Sequence, residues 1–193
     1  MNQIDRLLAA LLWLLGVLAI AGITHIVAVF ALPEIAAKDT YARILGLAKP
    51  GQLTILPPSR PGKLVMPFAD PAMVQSVCPF DLSQGGLRLH ADVEGGRLLT
   101  FSFRTSAGQA FYSMTDLAAQ QGKIDVVVLT AAQLEIVETE DDEDDPSQDL
   151  RLVAPEPQGF VIVSALAVYQ SDRADAEERV KSVVCAVEQV AQD

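Results

Sequence analysis

The amino-acid sequence predicts an α+β, mainly β fold: an antiparallel, β-sandwich-like domain with marginal helices, carried on an N-terminal transmembrane helix. Three observations predict it. An uncharged apolar run opens the chain. Alternating strand patterns, separated by Gly-containing turns, fill its middle. Ile124 to Leu129 is continuously apolar apart from Asp125 and contains three valines, which suits a strand buried on both faces. The expected organisation is a transmembrane anchor over 1–32, an amphipathic helix with a Pro/Gly-rich connector over 33–67, and a β-sandwich-like domain with a C-terminal helix over 68–193. That domain is large enough to bury its own core.

Leu7 to Leu32 contains no Asp, Glu, Lys or Arg. As a helix it would reach about 39 Å at roughly 1.5 Å per residue, more than the roughly 30 Å of a bilayer's hydrocarbon core. Pro33 and Glu34 are expected to end it. Ala19-Ile20-Ala21 also fits the cleavage site of a signal peptide. The apolar run continues eleven residues past Ala21, however, which suits a retained anchor. His25 falls at the far edge of the span and reads as an interfacial histidine rather than a haem or metal ligand. Lys38, Arg43 and Lys49 follow the span and Arg6 precedes it, which by the positive-inside rule favours a cytoplasmic domain. The two cysteines argue the other way. The expected location is the bacterial inner membrane, with the soluble domain facing the periplasm.

Beyond the span, Pro33 to Leu47 reads as a second helix, with Ile35, Ala42, Ile44 and Leu45 clustered on one side. Lys49 to Pro67 is Pro/Gly-rich and extended, with one short strand over Leu53 to Leu56. Asp70-Pro71 reads as a helix start, with a short helix over Ala72 to Val77 ended by Cys78-Pro79. Leu87, Leu89, Ala91 and Val93 alternate with Arg88, His90 and Asp92 as a half-buried strand. Gly95-Gly96 reads as a hairpin turn into Leu99, Phe101 and Phe103. Ala107-Gly108 turns the chain into Phe111 to Thr115. Thr130 to Gln133 is a capping box that opens a helix. Phe160 to Val168 reads as the last strand. Ala176, Val180, Val183, Val184, Val187 and Val190 recur at helical spacing and predict the C-terminal helix.

The net charge is −11, and seven carboxylates lie in the run from Glu138 to Asp145. No Lys/Arg cluster offsets them, so nucleic acid is not an expected partner. The acidic run could hold a hard cation. It lacks the glycine of an EF-hand loop, and a solvated loop is the preferred reading. Cys78 and Cys185 fit no metal motif and no Cys-x-x-Cys. A disulfide is the favoured reading, with free thiols open beside it and a catalytic pairing with His90 disfavoured. Ser76, Ser113 and Ser164 sit in no Gly-x-Ser-x-Gly elbow. No phosphate loop and no His-Glu-x-x-His occurs, so no cofactor or metal is expected.

Several stretches resemble a bacterial membrane-protein family, domain of unknown function 1254. They are His25-Ile26 through Pro33 to Asp39, Leu56-Pro57, Asp70-Pro71, Tyr112-Ser113, Val128-Leu129-Thr130 and Gly159-Phe160. The most specific is Cys78-Pro79-Phe80-Asp81-Leu82-Ser83. A cysteine near the C-terminus also fits. The resemblance implies an anchored, α-proteobacterial-style β-sandwich domain, often accompanied by a similar small membrane protein. It implies no reaction and no catalytic residue. The departure lies at Met114-Thr115-Asp116, where the family more often has asparagine, aspartate and arginine.

The function expected from these features is a non-catalytic binding or scaffolding module of the cell envelope, with the lipid bilayer and a companion membrane protein as partners. The alternative is an enzyme or accessory subunit of a membrane complex. Its small ligand would sit in a groove near Phe101, Phe103 and Tyr112.

Overall fold

The computed structural model of the chain describes residues 2–58, 70–93, 96–140 and 149–189, with backbone alone at 33–39 and 140. It divides into two units, Met1–Asp39 and Thr40–Asp193. Helix α1 (Gln3–Leu45) makes up the first unit and contributes its last turns to the second. Gln3–Leu32 is long and apolar enough to cross a membrane, with a mean hydropathy of 2.5, and nothing in its apolar window is buried. A helix that is apolar all round is not the pattern of one resting on a soluble core, where one face stays polar. The expected break at Pro33–Glu34 does not occur: α1 continues through it. Proline deprives a helix of one hydrogen bond and crowds the carbonyl four residues back, but its fixed φ remains helical.

The second unit contains two sheets. One has five strands in the order β1 (Thr54–Ile55), β2 (Met73–Asp81), β8 (Gln158–Leu166), β4 (Leu99–Thr105), β5 (Ala110–Thr115). The other has the order β7 (Leu150–Val153), β6 (Lys123–Leu129), β3 (Gly86–Asp92), β9 (Val184–Glu188). Every pairing is antiparallel except β6 with β7. That parallel step needs a crossover, and α2 (Ala131–Glu140) lies within it. Its capping box forms as expected: Thr130 Oγ1 accepts from the Gln133 amide, and Gln133 Oε1 accepts from the Thr130 amide. The expected acidic loop lies mostly outside the described residues, as does Val190.

Three expectations fail, each for a local reason. Ala72 to Val77 is not a helix but the start of β2. Asp70 Oδ1 does accept the Ala72 amide, yet in a turn that enters a strand. Pro79 is tolerated within β2 because its missing N–H faces the weakly paired side. There, the Gln75 and Pro79 carbonyls accept from Leu56 and Gly51, while β8 occupies the other edge. The C-terminal helix is likewise only partly right. Helix α3 (Arg173–Lys181) stops early, and Val184 to Glu188 forms β9 beside β3. Valine, branched at Cβ, favours strand once the helix has ended. Finally, β3 and β4 are not a hairpin. Each pairs within a different sheet, so the connection at Gly96 carries the chain between sheets. Alternation with one buried face is the same whichever sheet a strand joins. The Ala107-Gly108 turn does join β4 to β5 as a hairpin, with Gly108 at φ +87°.

Both sheets contribute to one core. Val74, Phe80, Phe101, Phe103, Val161 and Val163 come from the first, and Leu87, Leu89, Ile124, Val126 and Val128 from the second. Ala176 and Val180 of α3 close one end. Arg179 fastens α3 by donating to the carbonyls of Leu98 and Leu166. A disulfide joins Cys78 of β2 to Cys185 of β9, so it ties the two sheets together. Cys185 therefore sits on strand β9, within the stretch expected to be the C-terminal helix. Ser76 faces the same core, and its Oγ is buried without a hydrogen-bond partner.

Candidate functional site

Of the hollows on the second unit, one of about 340 Å³ is bounded by the Arg97–Asp175 ion pair, and two others bear on a ligand. The first lies where the edge strands β5 and β7 leave the core open. Tyr112 and Met114 of β5 form one side, Ile124 and Asp125 of β6 another, and Leu150 lies at the rim, around a volume of about 340 Å³. The turn at its end is tight: Gln120 and Lys123 exchange backbone hydrogen bonds of 2.9 Å, with Gln121 and Gly122 both at positive φ. Of the three residues expected to line a groove, only Tyr112 does so. Phe101 and Phe103 are fully buried between the sheets. Phe103 supports the site from behind, with its ring 6.1 Å from that of Tyr112.

The second hollow was not foreseen. It lies on the outward face of the first sheet, under the last turns of α1. Val77, Phe160 and Ile162 point outward from β2 and β8 and pack with Tyr41, Ile44, Ala48 and Leu56. The buried side of this helix end is thus Tyr41, Ile44 and Ala48, while Ala42 and Leu45 are exposed. Tyr41 anchors it by donating 2.9 Å to the Phe80 carbonyl. Burial, helped by the nearby Asp81 carboxylate, raises the Tyr41 pKa above the ordinary phenol value. Beside this contact remains a cavity of about 260 Å³. Ile44, Leu47 and Ile162 line it, together with Arg43 and Arg104. Arg104 donates to Ser102 Oγ at 3.2 Å and to the Gly108 carbonyl at 3.1 Å. Its place on β4, alternating with buried phenylalanines, reads in the sequence only as a solvent-facing strand residue. The helix stripe Tyr41-x-x-Ile44 was the signal that could have found this site.

The remaining candidates are structural in their contacts. Cys78 and Cys185 are bridged, which removes the thiol a Cys–His mechanism needs. His90 is half-buried rather than fully solvated: Nδ1 lies 2.6 Å from Asp125 across β3 and β6, and Nε2 lies 3.9 Å from Asp92. Both nitrogens thus have a carboxylate nearby, the closer one across the strand pair. Arg88 alongside it reaches Glu188 at 2.7 Å and Asp149 at 3.0 Å, a cross-strand ladder on the outward face of the second sheet. Ser164 Oγ accepts from Gln75, and Ser113 Oγ bonds Ser102 Oγ. Among the described residues, no group of three or more His, Cys, Asp or Glu is placed to hold a metal ion.

The Cys78 to Ser83 segment has a compact local chemistry. It supplies the half-cystine, the proline on the lightly paired side of β2, and a turn in which Asp81 Oδ1 accepts from both the amide and the hydroxyl of Ser83. The Ser83 hydroxyl is the main reason the Asp81 carboxyl is held below its ordinary pKa, and Gln158 adds to it.

No family model matches the chain, and no curated protein matches it. Among solved structures, it is similar to the VPA0106 protein of Vibrio parahaemolyticus, with a TM-score of 0.57 at 9% identity over 83% of this chain and 38% of that one. An uncharacterised protein from Burkholderia cenocepacia aligns with a TM-score of 0.42 at 11% identity, over 72% of this chain and 36% of that one. The first likeness is one of fold alone, and the chain spans 38% of that protein's length.

Proposed function

We propose that the chain is a single-pass, membrane-anchored envelope protein whose sheets form a β-sandwich that binds or scaffolds rather than catalyses. One observation carries this reading. An apolar helix with nothing buried in its apolar window leads, in the same chain, to a unit closed by a disulfide. A signal sequence would also be apolar and N-terminal, but the length of this helix favours a permanent span. The disulfide favours an oxidising compartment, and with it the periplasmic side of a bacterial inner membrane. The core shared by the two sheets favours a sandwich. The compact chemistry of Cys78 to Ser83 favours kinship with domain of unknown function 1254, and a small membrane protein is the companion that kinship implies. The second reading, an enzyme or accessory subunit holding a small ligand, draws support from the groove at Tyr112.

A C-terminal alkaline phosphatase fusion, with thiol labelling of the unfused full-length protein and purification in mild detergent, tests the proposal. The expected result is active phosphatase, no reactive thiol before reduction, and a membrane protein that co-purifies. Inactive phosphatase with two reactive thiols in the native protein would refute the periplasmic module.

A further inference from the structure

We propose that the hollow under the last turns of α1 binds a single-chain anionic amphiphile, a fatty carboxylate drawn from the bilayer. This deepens the membrane-anchored reading and rests on it for the source of the ligand.

The lining sets the chemistry. Val77, Phe160 and Ile162 give the hollow an apolar floor, and Leu47 gives it an apolar wall. Water there finds few partners, whereas an acyl chain keeps apolar surroundings on entering. Two arginines, Arg43 and Arg104, line the same hollow, in a chain whose net charge is −11. Arg104 differs from four other arginines of the second unit. Arg88, Arg97, Arg173 and Arg179 each pair with a carboxylate. Both acceptors of Arg104 are neutral, so among the described residues its charge has no ion-pair partner. A planar guanidinium set at the rim of an apolar cavity matches a carboxylate head on an apolar tail.

Size and position narrow the class. At about 260 Å³ the cavity falls just below the roughly 300–1,000 Å³ of drug-sized sites, so it suits a stretch of acyl chain and not a dinucleotide or a haem. Thr40, which lines it, is eight residues beyond Leu32, the end of the apolar span. Eight residues reach at most about 29 Å even when fully extended. With the span in a bilayer, the hollow cannot leave the neighbourhood of the lipid headgroups. A free phosphate or nucleotide would waste the apolar floor, and a neutral lipid would waste the Arg104 guanidinium.

The test uses the full-length protein in lipid nanodiscs, irradiated with a diazirine-bearing palmitate and mapped by peptide mass spectrometry. Adducts are expected at Leu47–Leu56 and Phe160–Ile162, in addition to those that residues 7–32 collect from any bilayer. Unlabelled palmitate should displace the hollow adducts about tenfold more effectively than the neutral alcohol of equal length. Arg104→Gln should reduce them about tenfold, and Arg104→Lys should retain most of them. Ala107→Phe, which fills the hollow and keeps both guanidiniums, should abolish them, with the disulfide still resistant to thiol labelling in each variant. Equal adducts in wild type and Arg104→Gln, or adducts on 7–32 with none at the hollow, overturn the proposal and leave the anchor standing. Adducts at the hollow with none on 7–32 keep the site and sink the anchor.

Discussion

On the outward face of the first sheet, Val77, Phe160 and Ile162 are covered by Tyr41, Ile44 and Ala48; on that of the second, Arg88, His90 and Asp125 meet solvent through ion pairs. The two inward faces are alike, apolar and merged into one core. The outward faces differ because only one receives the end of α1. A sheet face stays apolar where another element removes it from water, and otherwise takes cross-strand polar pairs. The apolar outward face is thus the side on which Tyr41, Ile44 and Ala48 pack, and spare volume remains beside that contact.

The largest break in this contrast should come at Phe160, an outward residue with 1% exposure. Phe160→Ala is expected to cost about 3–5 kcal/mol. Val184→Ala, outward on β9 and 55% exposed, should stay within about 0.5 kcal/mol. Thermal unfolding of the full chain in detergent, followed by far-ultraviolet circular dichroism, separates the two. Equal losses would end the comparison.

Next in size is the bridge that holds the inward faces together. Replacing Cys78 and Cys185 by serine should cost about 2–5 kcal/mol. The same loss should follow reduction of the wild type, and reductant should not affect the double variant.

A smaller effect sharpens the docking contact. Tyr41→Phe removes one buried hydrogen bond, worth about 0.5–1.5 kcal/mol. It should also change the alkaline limb. The folded pKa of Tyr41 is raised, so its contribution is full below the unfolded value near 10 and is lost as pH rises through the folded value. The variant should lose less stability than the wild type between pH 9 and about 11. A parallel decline in both proteins would contradict the assignment.

The smallest effect belongs to the polar face. A double-mutant cycle on Arg88 and Glu188, whose side chains are 36% and 45% exposed, should return no more than about 1 kcal/mol of coupling and shrink with salt. Coupling well above that would mean the second face is more than a solvated ladder.

Much of this architecture was legible in the sequence, and the failures share a cause. Period-2 patterns located β3, β4 and β5, the capping box located α2, and the cysteine count pointed to the bridge. Partner choice was not legible, because the inward alternation of Leu87, Leu89 and Ala91 is identical whether β3 pairs with β4 or with β6 and β9. Two segments expected as helix went wrong: Ala72 to Val77, read from the Asp70-Pro71 start, leads into β2, and the valines from Val184 to Val187, read from helical spacing, lie in β9, each segment paired with a longer neighbour. Of the candidate groove, Tyr112 was found, while its phenylalanine neighbours turned out to be the core behind it. The arginine-bearing hollow escaped because its parts lie on α1, β2, β4 and β8; the Tyr41-x-x-Ile44 stripe marks the helix's share of it, but spacing does not reveal the strands it meets.

All of this presumes that the apolar end of α1 stays in lipid. Alkaline carbonate extraction of cell membranes, followed by intact-mass analysis of the recovered chain, tests that most directly. The expected result is uncleaved protein in the washed membrane fraction. Release into the wash of a shortened chain beginning just after Ala21 would contradict it.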